Sequence, residues 1–101
     1  MTDPPPAAGT GRFSVPPDHP SLPGHFPGRP VVPGVVLLDH VFALSGTRPA
    51  KLLRAKFPAP VRPGEEVEVA FEPRGGNRLS FTCRRDGVVV LAGEFEGSAP
   101  A

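Results

Sequence analysis

The chain reads as an α+β domain in which one central helix is wrapped by a curved antiparallel β-sheet. Three observations predict this. A run from Val35 to Leu44 is apolar nearly all round, opens on Pro33-Gly34 and stops at Gly46. Three segments, Glu66–Glu72, Arg78–Arg84 and Val88–Phe95, follow one another with apolar residues at every second position or in a short buried run. The links between them, Gly75-Gly76-Asn77 and Asp86-Gly87, are turn sequences, the second a strong two-residue hairpin signal. A sheet with one apolar face needs cover, and a single apolar helix supplies it.

Taken in order, residues 1–11 hold Pro, Ala, Gly and Thr with almost no large apolar group, and are expected to be a flexible tail. Arg12-Phe13-Ser14-Val15 predicts a short strand ended by Pro16-Pro17. From Asp18 to Pro33 proline recurs every three to four residues, removing backbone donors, so no regular element forms there. Ten of the 16 prolines lie between Pro4 and Pro33. Such a loop, carrying His19 and His25, invites a functional reading.

Proline is tolerated in a first helical turn, so the helix begins at Pro33 or Gly34, and Gly46 ends it. Being apolar on most sides, it is expected to be buried on most sides. Thr47-Arg48-Pro49 predicts a turn and Lys51–Phe57 a strand; Pro58, Pro60 and Pro63-Gly64 then break the chain before the three-stranded meander. Val67, Val69, Phe71, Leu79, Phe81 and Cys83 are the expected inward-facing residues. The folded domain is expected over 12–96, with 97–101 a second loose tail.

With 101 residues the chain argues for one domain, whose thin core would profit from a partner subunit. Eleven basic and ten acidic side chains leave a net charge of +1, which gives no reason to invoke nucleic acid. The longest apolar stretch, broken by Asp39-His40, is far short of the ~20 residues a membrane span requires. The amino terminus lacks the basic and apolar regions of a secretory signal, and the single cysteine, Cys83, forms no internal disulfide. A cytoplasmic location is the expectation.

Three positions stand out chemically. Asp39 is a charge in an otherwise apolar helix, so it either reaches solvent or is a carboxyl in a partly apolar cleft. His25 is held between glycines and prolines in Gly24-His25-Phe26-Pro27-Gly28, and imidazole has the pKa suited to a base at neutral pH; a solvated loop histidine is the plainer reading. Gly34 stands where helix amides lack partners and the dipole favours negative charge. It is either a simple loop-to-helix turn or an oxyanion site. His19 has no clear partner. His40 lies about 100° round the helix from Asp39. Cys83 falls on the apolar side of its strand, and no metal-ligand spacing links His19, His25, His40 and Cys83.

The unbroken segment Gly24 to Asp39, GHFPGRPVVPGVVLLD, resembles the 3-hydroxyacyl-[acyl-carrier-protein] dehydratases of bacterial fatty-acid synthesis, most closely the short dehydratase-like proteins of the aryl-polyene type. The resemblance continues more loosely through Lys56-Phe57-Pro58-Ala59-Pro60-Val61-Arg62-Pro63-Gly64-Glu65 and Asp86-Gly87-Val88. It implies a single hotdog domain, with His25 as catalytic base, Asp39 as the acidic residue and the Gly34 amide on the thioester carbonyl. Phe26, Pro33 and Val35 would flank the substrate.

The resemblance further implies a homodimer or higher hotdog assembly in which His25 and Asp39 of one site come from different subunits. No cofactor or metal is implied, and the partner delivering the acyl group is an acyl carrier protein. The expected reaction is dehydration of a 3-hydroxyacyl thioester to the trans-2-enoyl thioester, in fatty-acid, polyketide or aryl-polyene-like biosynthesis. The alternatives are a hotdog acyl thioesterase and a non-catalytic acyl-binding or dimerisation protein.

Overall fold

A computed structural model of the chain describes residues 9–17 and 31–98. The elements are β1 (Gly9–Phe13), α1 (Gly34–Ser45), β2 (Arg48–Lys56), β3 (Val67–Pro73), β4 (Arg78–Arg85) and β5 (Val88–Ser98). The strands form one five-stranded sheet in the order β1-β3-β4-β5-β2, antiparallel throughout. The helix covers its inner face, the arrangement of a hotdog domain.

Side-chain alternation builds that face. Register stacks Val69, Cys83 and Leu91 in one row across β3, β4 and β5, and Phe71, Phe81 and Gly93 in the next. Phe81, Leu91 and Phe95 are fully buried, and Val36, Leu37 and Val41 descend on them from the helix. Phe42 meets Phe95 edge-on at 5.1 Å between ring centroids, the favourable aromatic geometry. His40, on another side of the helix from Asp39, stacks flat on Phe13 of β1 at 4.7 Å.

The local signals act as read. Pro33 is the N-cap with φ −59° and ψ 146°, and Gly46 ends the helix in the left-handed region at φ 71°. Asp86 and Gly87 both take positive φ, 51° and 80°, the primed hairpin turn that an Asp-Gly pair favours. Thr47 donates its amide to the buried Ser45 hydroxyl, which itself donates to the Phe42 carbonyl at 2.7 Å.

Other features differ from expectation. Strand pairing starts at Gly9 and runs to Ser98, past both edges of the domain expected over 12–96, because β1 pairs with β3 from Gly9 onward and Arg48 pairs with Ser98. The expected turn at Thr47-Arg48-Pro49 is shorter: Arg48 and Pro49 already belong to β2. That strand lies at the sheet edge, where a residue without an N–H is tolerated. The helix is not enclosed on most sides within one chain. Val35, Asp39 and Ala43, four residues apart, form an exposed stripe, and Val35 is 69% exposed.

β2 is exposed along most of its length. Two register shifts, between Pro49 and Lys51 and between Leu52 and Arg54, bring Arg48, Lys51, Arg54 and Lys56 opposite Ser98, Glu96, Glu94 and Ala92. All four cations therefore share the outer face with the acids of β5. Glu94, its side chain only 12% exposed, lies 3.7 Å from Arg54 and 3.6 Å from Arg78. Leu52 and Leu53 remain exposed on this free edge.

Cys83 is a core residue, as its strand position implies. Burial pushes its thiol from 9.0 up to about 12, because the thiolate would lose its hydration. The unfolded chain thus releases this proton before the folded one does. The stabilising contribution is full below pH 9 and falls as pH rises from there toward 12. Urea titrations across that window should show a steeper loss of stability for wild type than for Cys83→Ala. Equal slopes would remove Cys83 as the cause.

Candidate active site

The start of α1 is left chemically open by its own geometry. The Val36 and Leu37 amides both donate to the Pro33 carbonyl, at 3.0 and 3.3 Å. Among the described residues, the Gly34 and Val35 amides have no backbone acceptor. They sit at the positive end of the helix dipole, where an oxygen gaining negative charge is stabilised.

Gly34 also lines a cleft of about 420 Å³. Val32, Pro33 and Leu37 form its near wall, and Phe57, Ala59 and Val61 the far one. The two walls are tied together where Val32 donates its amide to the Val61 carbonyl at 2.8 Å. The far wall is held from behind. Arg62 donates its amide to the Glu65 carboxylate at 2.7 Å, and Arg85 lies 3.4 Å from the same oxygen as an ion pair rather than an aligned hydrogen bond. Arg85 also donates to the Pro60 carbonyl at 3.4 Å, and Gly64 donates to Val15 at 2.8 Å. The cleft is therefore apolar, with polar capacity concentrated at the Gly34 amide, which has no backbone acceptor among the described residues. Such a site suits a neutral acyl chain whose carbonyl needs a donor.

Of the residues singled out from the sequence, Gly34 and Pro33 line this cleft. Asp39 and Val35 do not; they lie on the exposed stripe of α1, so one chain does not bring the Asp39 carboxyl to the Gly34 amide. His25, Phe26 and His19 fall outside the described residues. Among the described residues no group of three or more His, Cys, Asp or Glu side chains is placed to hold a metal ion, and no helix is long and apolar enough to cross a membrane.

Sequence reasoning passed over Phe57. A Cβ placed on Gly34 would come within 2.8 Å of the Phe57 ring, so the ring rests directly on the Gly34 backbone. An added Cβ would have to displace the end of the Phe57 ring, so close approach rather than an unusual φ favours glycine here. The available signal was an aromatic residue at the end of a strand, immediately before Pro58.

Comparisons with known proteins bear on this geometry. The profile of the ApeI-like family, described as ApeI dehydratase, matches residues 6–94. A 3-hydroxyacyl-[acyl-carrier-protein] dehydratase, FabZ, from Yersinia enterocolitica is 33% identical over 92 residues, 72% of this chain and 55% of that protein. The FabZ of Yersinia pestis is equally identical, with 52% of it covered. The chain spans about half the length of the curated relatives it matches.

Among solved structures, the dehydratase heterocomplex ApeI:P of Xenorhabdus doucetiae superposes with a TM-score of 0.73 at 24% identity, over 92% of this chain and 90% of that one. A variant of the fluoroacetyl-CoA-specific thioesterase FlK superposes at 0.63 and 21% identity, over 88% and 85%. At these identities the two likenesses speak for the hotdog fold alone. The family match spans most of the folded region, including the cleft and the whole of α1, and on that ground this chain is a member of the ApeI-like hotdog dehydratase family.

Proposed function

We propose that the protein dehydrates a 3-hydroxyacyl thioester to the trans-2-enoyl thioester. The observation that carries the reading is the Gly34 amide, at the start of α1 and without a backbone acceptor among the described residues, bordering an apolar cleft. The thioester oxygen accepts from the Gly34 amide. His25 removes a proton from C2, and charge moves onto that oxygen as the enolate forms. The enolate then collapses to the C2–C3 double bond while the C3–O bond breaks. Asp39 supplies the proton with which the hydroxyl leaves as water, and proton return from His25 to Asp39 closes the cycle. Acid and base must be separate groups for this chemistry.

The exposed stripe of Val35, Asp39 and Ala43 and the free, apolar-studded edge of β2 fit a second copy of the chain. In that homodimer Asp39 of one subunit would face His25 of the other, and the assembly works in the cytoplasm. The acyl group arrives on an acyl carrier protein, in keeping with the substrate named for the FabZ relatives. No cofactor enters the scheme.

The second reading is thioester hydrolysis with the carbonyl on the same Gly34 amide, the class of reaction named for the thioesterase neighbour that shares this fold. Mass spectrometry of 3-hydroxybutanoyl thioester incubated with the purified chain separates the two. The enoyl thioester, 18 mass units lighter from loss of one water, is the expected product; free acid with released thiol would reverse the choice.

A further inference from the structure

We infer that Phe57 determines specificity, limiting the bulk that a thioester carries at C2, the carbon next to its carbonyl. This deepens the dehydratase reading and rests on it, since that reading puts the carbonyl on the Gly34 amide. The Phe57 ring already fills the space beside Gly34: a methyl-sized group built there would lie 2.8 and 2.9 Å from two ring carbons. An oxygen accepting from the Gly34 amide at about 2.9 Å holds C2 within a few bonds of that same space. A hydrogen on C2 fits beside the ring, and a methyl competes with it.

The backbone that carries the ring is held in place. Phe57 follows Lys56, which pairs with Ala92, and precedes Pro58, which restricts the Phe57 backbone to extended conformations. The chain just beyond is tied by the Val32–Val61 and Arg85–Pro60 hydrogen bonds. Yet Phe57 is 46% exposed, outside the packed core, so shortening it need not unpack the domain.

The test compares kcat/KM for the pantetheine thioesters of 3-hydroxybutanoate and 2-methyl-3-hydroxybutanoate. Wild type should favour the unbranched thioester by about 10- to 200-fold, the discrimination one methyl group supports, and Phe57→Ala should bring the ratio down about tenfold. A merely structural role would lower both rates together and leave the ratio alone. In a second arm, Gly34→Ala should lower the melting temperature and Gly34→Ala/Phe57→Ala should recover it. An active wild type whose ratio is unchanged in Phe57→Ala, or a double variant no more stable than Gly34→Ala, overturns the assignment while leaving dehydration standing. Wild type that removes water from neither thioester removes the dehydratase reading, and this inference with it.

Discussion

Gly93→Ala is expected to lower the melting temperature by more than about 10 °C, the shift that two or more kcal/mol of overpacking produces in a domain of this size. Gly93 lies on the inner face of β5, between Phe81 on β4 and Ala55 on β2. An added Cβ would collide with the carbonyl oxygen of Arg54 and stand 2.8 Å from the Phe81 ring and 3.1 Å from the Ala55 Cα. Two of these three obstacles are backbone atoms, so relief requires β2 to move away from β5. The third is the end of a ring that is 1% exposed and has nowhere to turn. Gly87, at φ 80° and with nothing within 4 Å of an added Cβ, shows the contrast: its substitution strains a turn but displaces no strand. Thermal melts followed by circular dichroism check the prediction, and a shift under about 3 °C would mean that β2 gives way freely.

Asp39→Asn is expected to cut enoyl formation by about a hundredfold to ten-thousandfold, the usual contribution of a positioned acid or base. The same change should leave the melting temperature nearly unaltered. Asp39 is exposed in the chain and, among the described residues, makes no salt bridge, so the folded chain is expected to draw little stability from its charge. The amide keeps the carboxyl's shape but cannot donate the acidic proton that the proposed reaction uses to expel the hydroxyl. Steady-state rates alongside melts of the same samples separate the two effects; an unchanged rate would take Asp39 out of the chemistry.

Much of the fold could be read from residues whose signals are local. Pro33 and Gly46 bracket the helix because a missing N–H and a left-handed conformation act within one turn. β3, β4 and β5 announce themselves by alternation and by the Asp86-Gly87 turn. What was not legible depends on pairing between distant segments. The register shifts that keep Arg48, Lys51, Arg54 and Lys56 on one face arise only when β2 meets β5. The contact of Phe57 with Gly34 needs the end of β2 to return over the start of α1.

The candidate site shows the same division. Gly34 was identifiable as a helix start, and its cleft was not. Asp39 was conspicuous as a charge in an apolar helix, yet one chain leaves it on an exposed stripe with Val35 and Ala43. Periodicity gives the apolar content of a helix but not how many chains share in burying it.

That stripe is where, in the proposed dimer, a second chain would complete the site. The direct test is the enoyl-forming rate of an equimolar mixture of His25→Ala and Asp39→Asn proteins, allowed to exchange subunits. Each variant alone should retain about a hundredth of the wild-type rate or less. Half of the randomly mixed dimers combine the two variants and hold one intact site of two, so the mixture should recover about a quarter of the wild-type rate. A mixture no faster than its components, measured under conditions where subunits do exchange, would contradict a site built from His25 of one chain and Asp39 of the other.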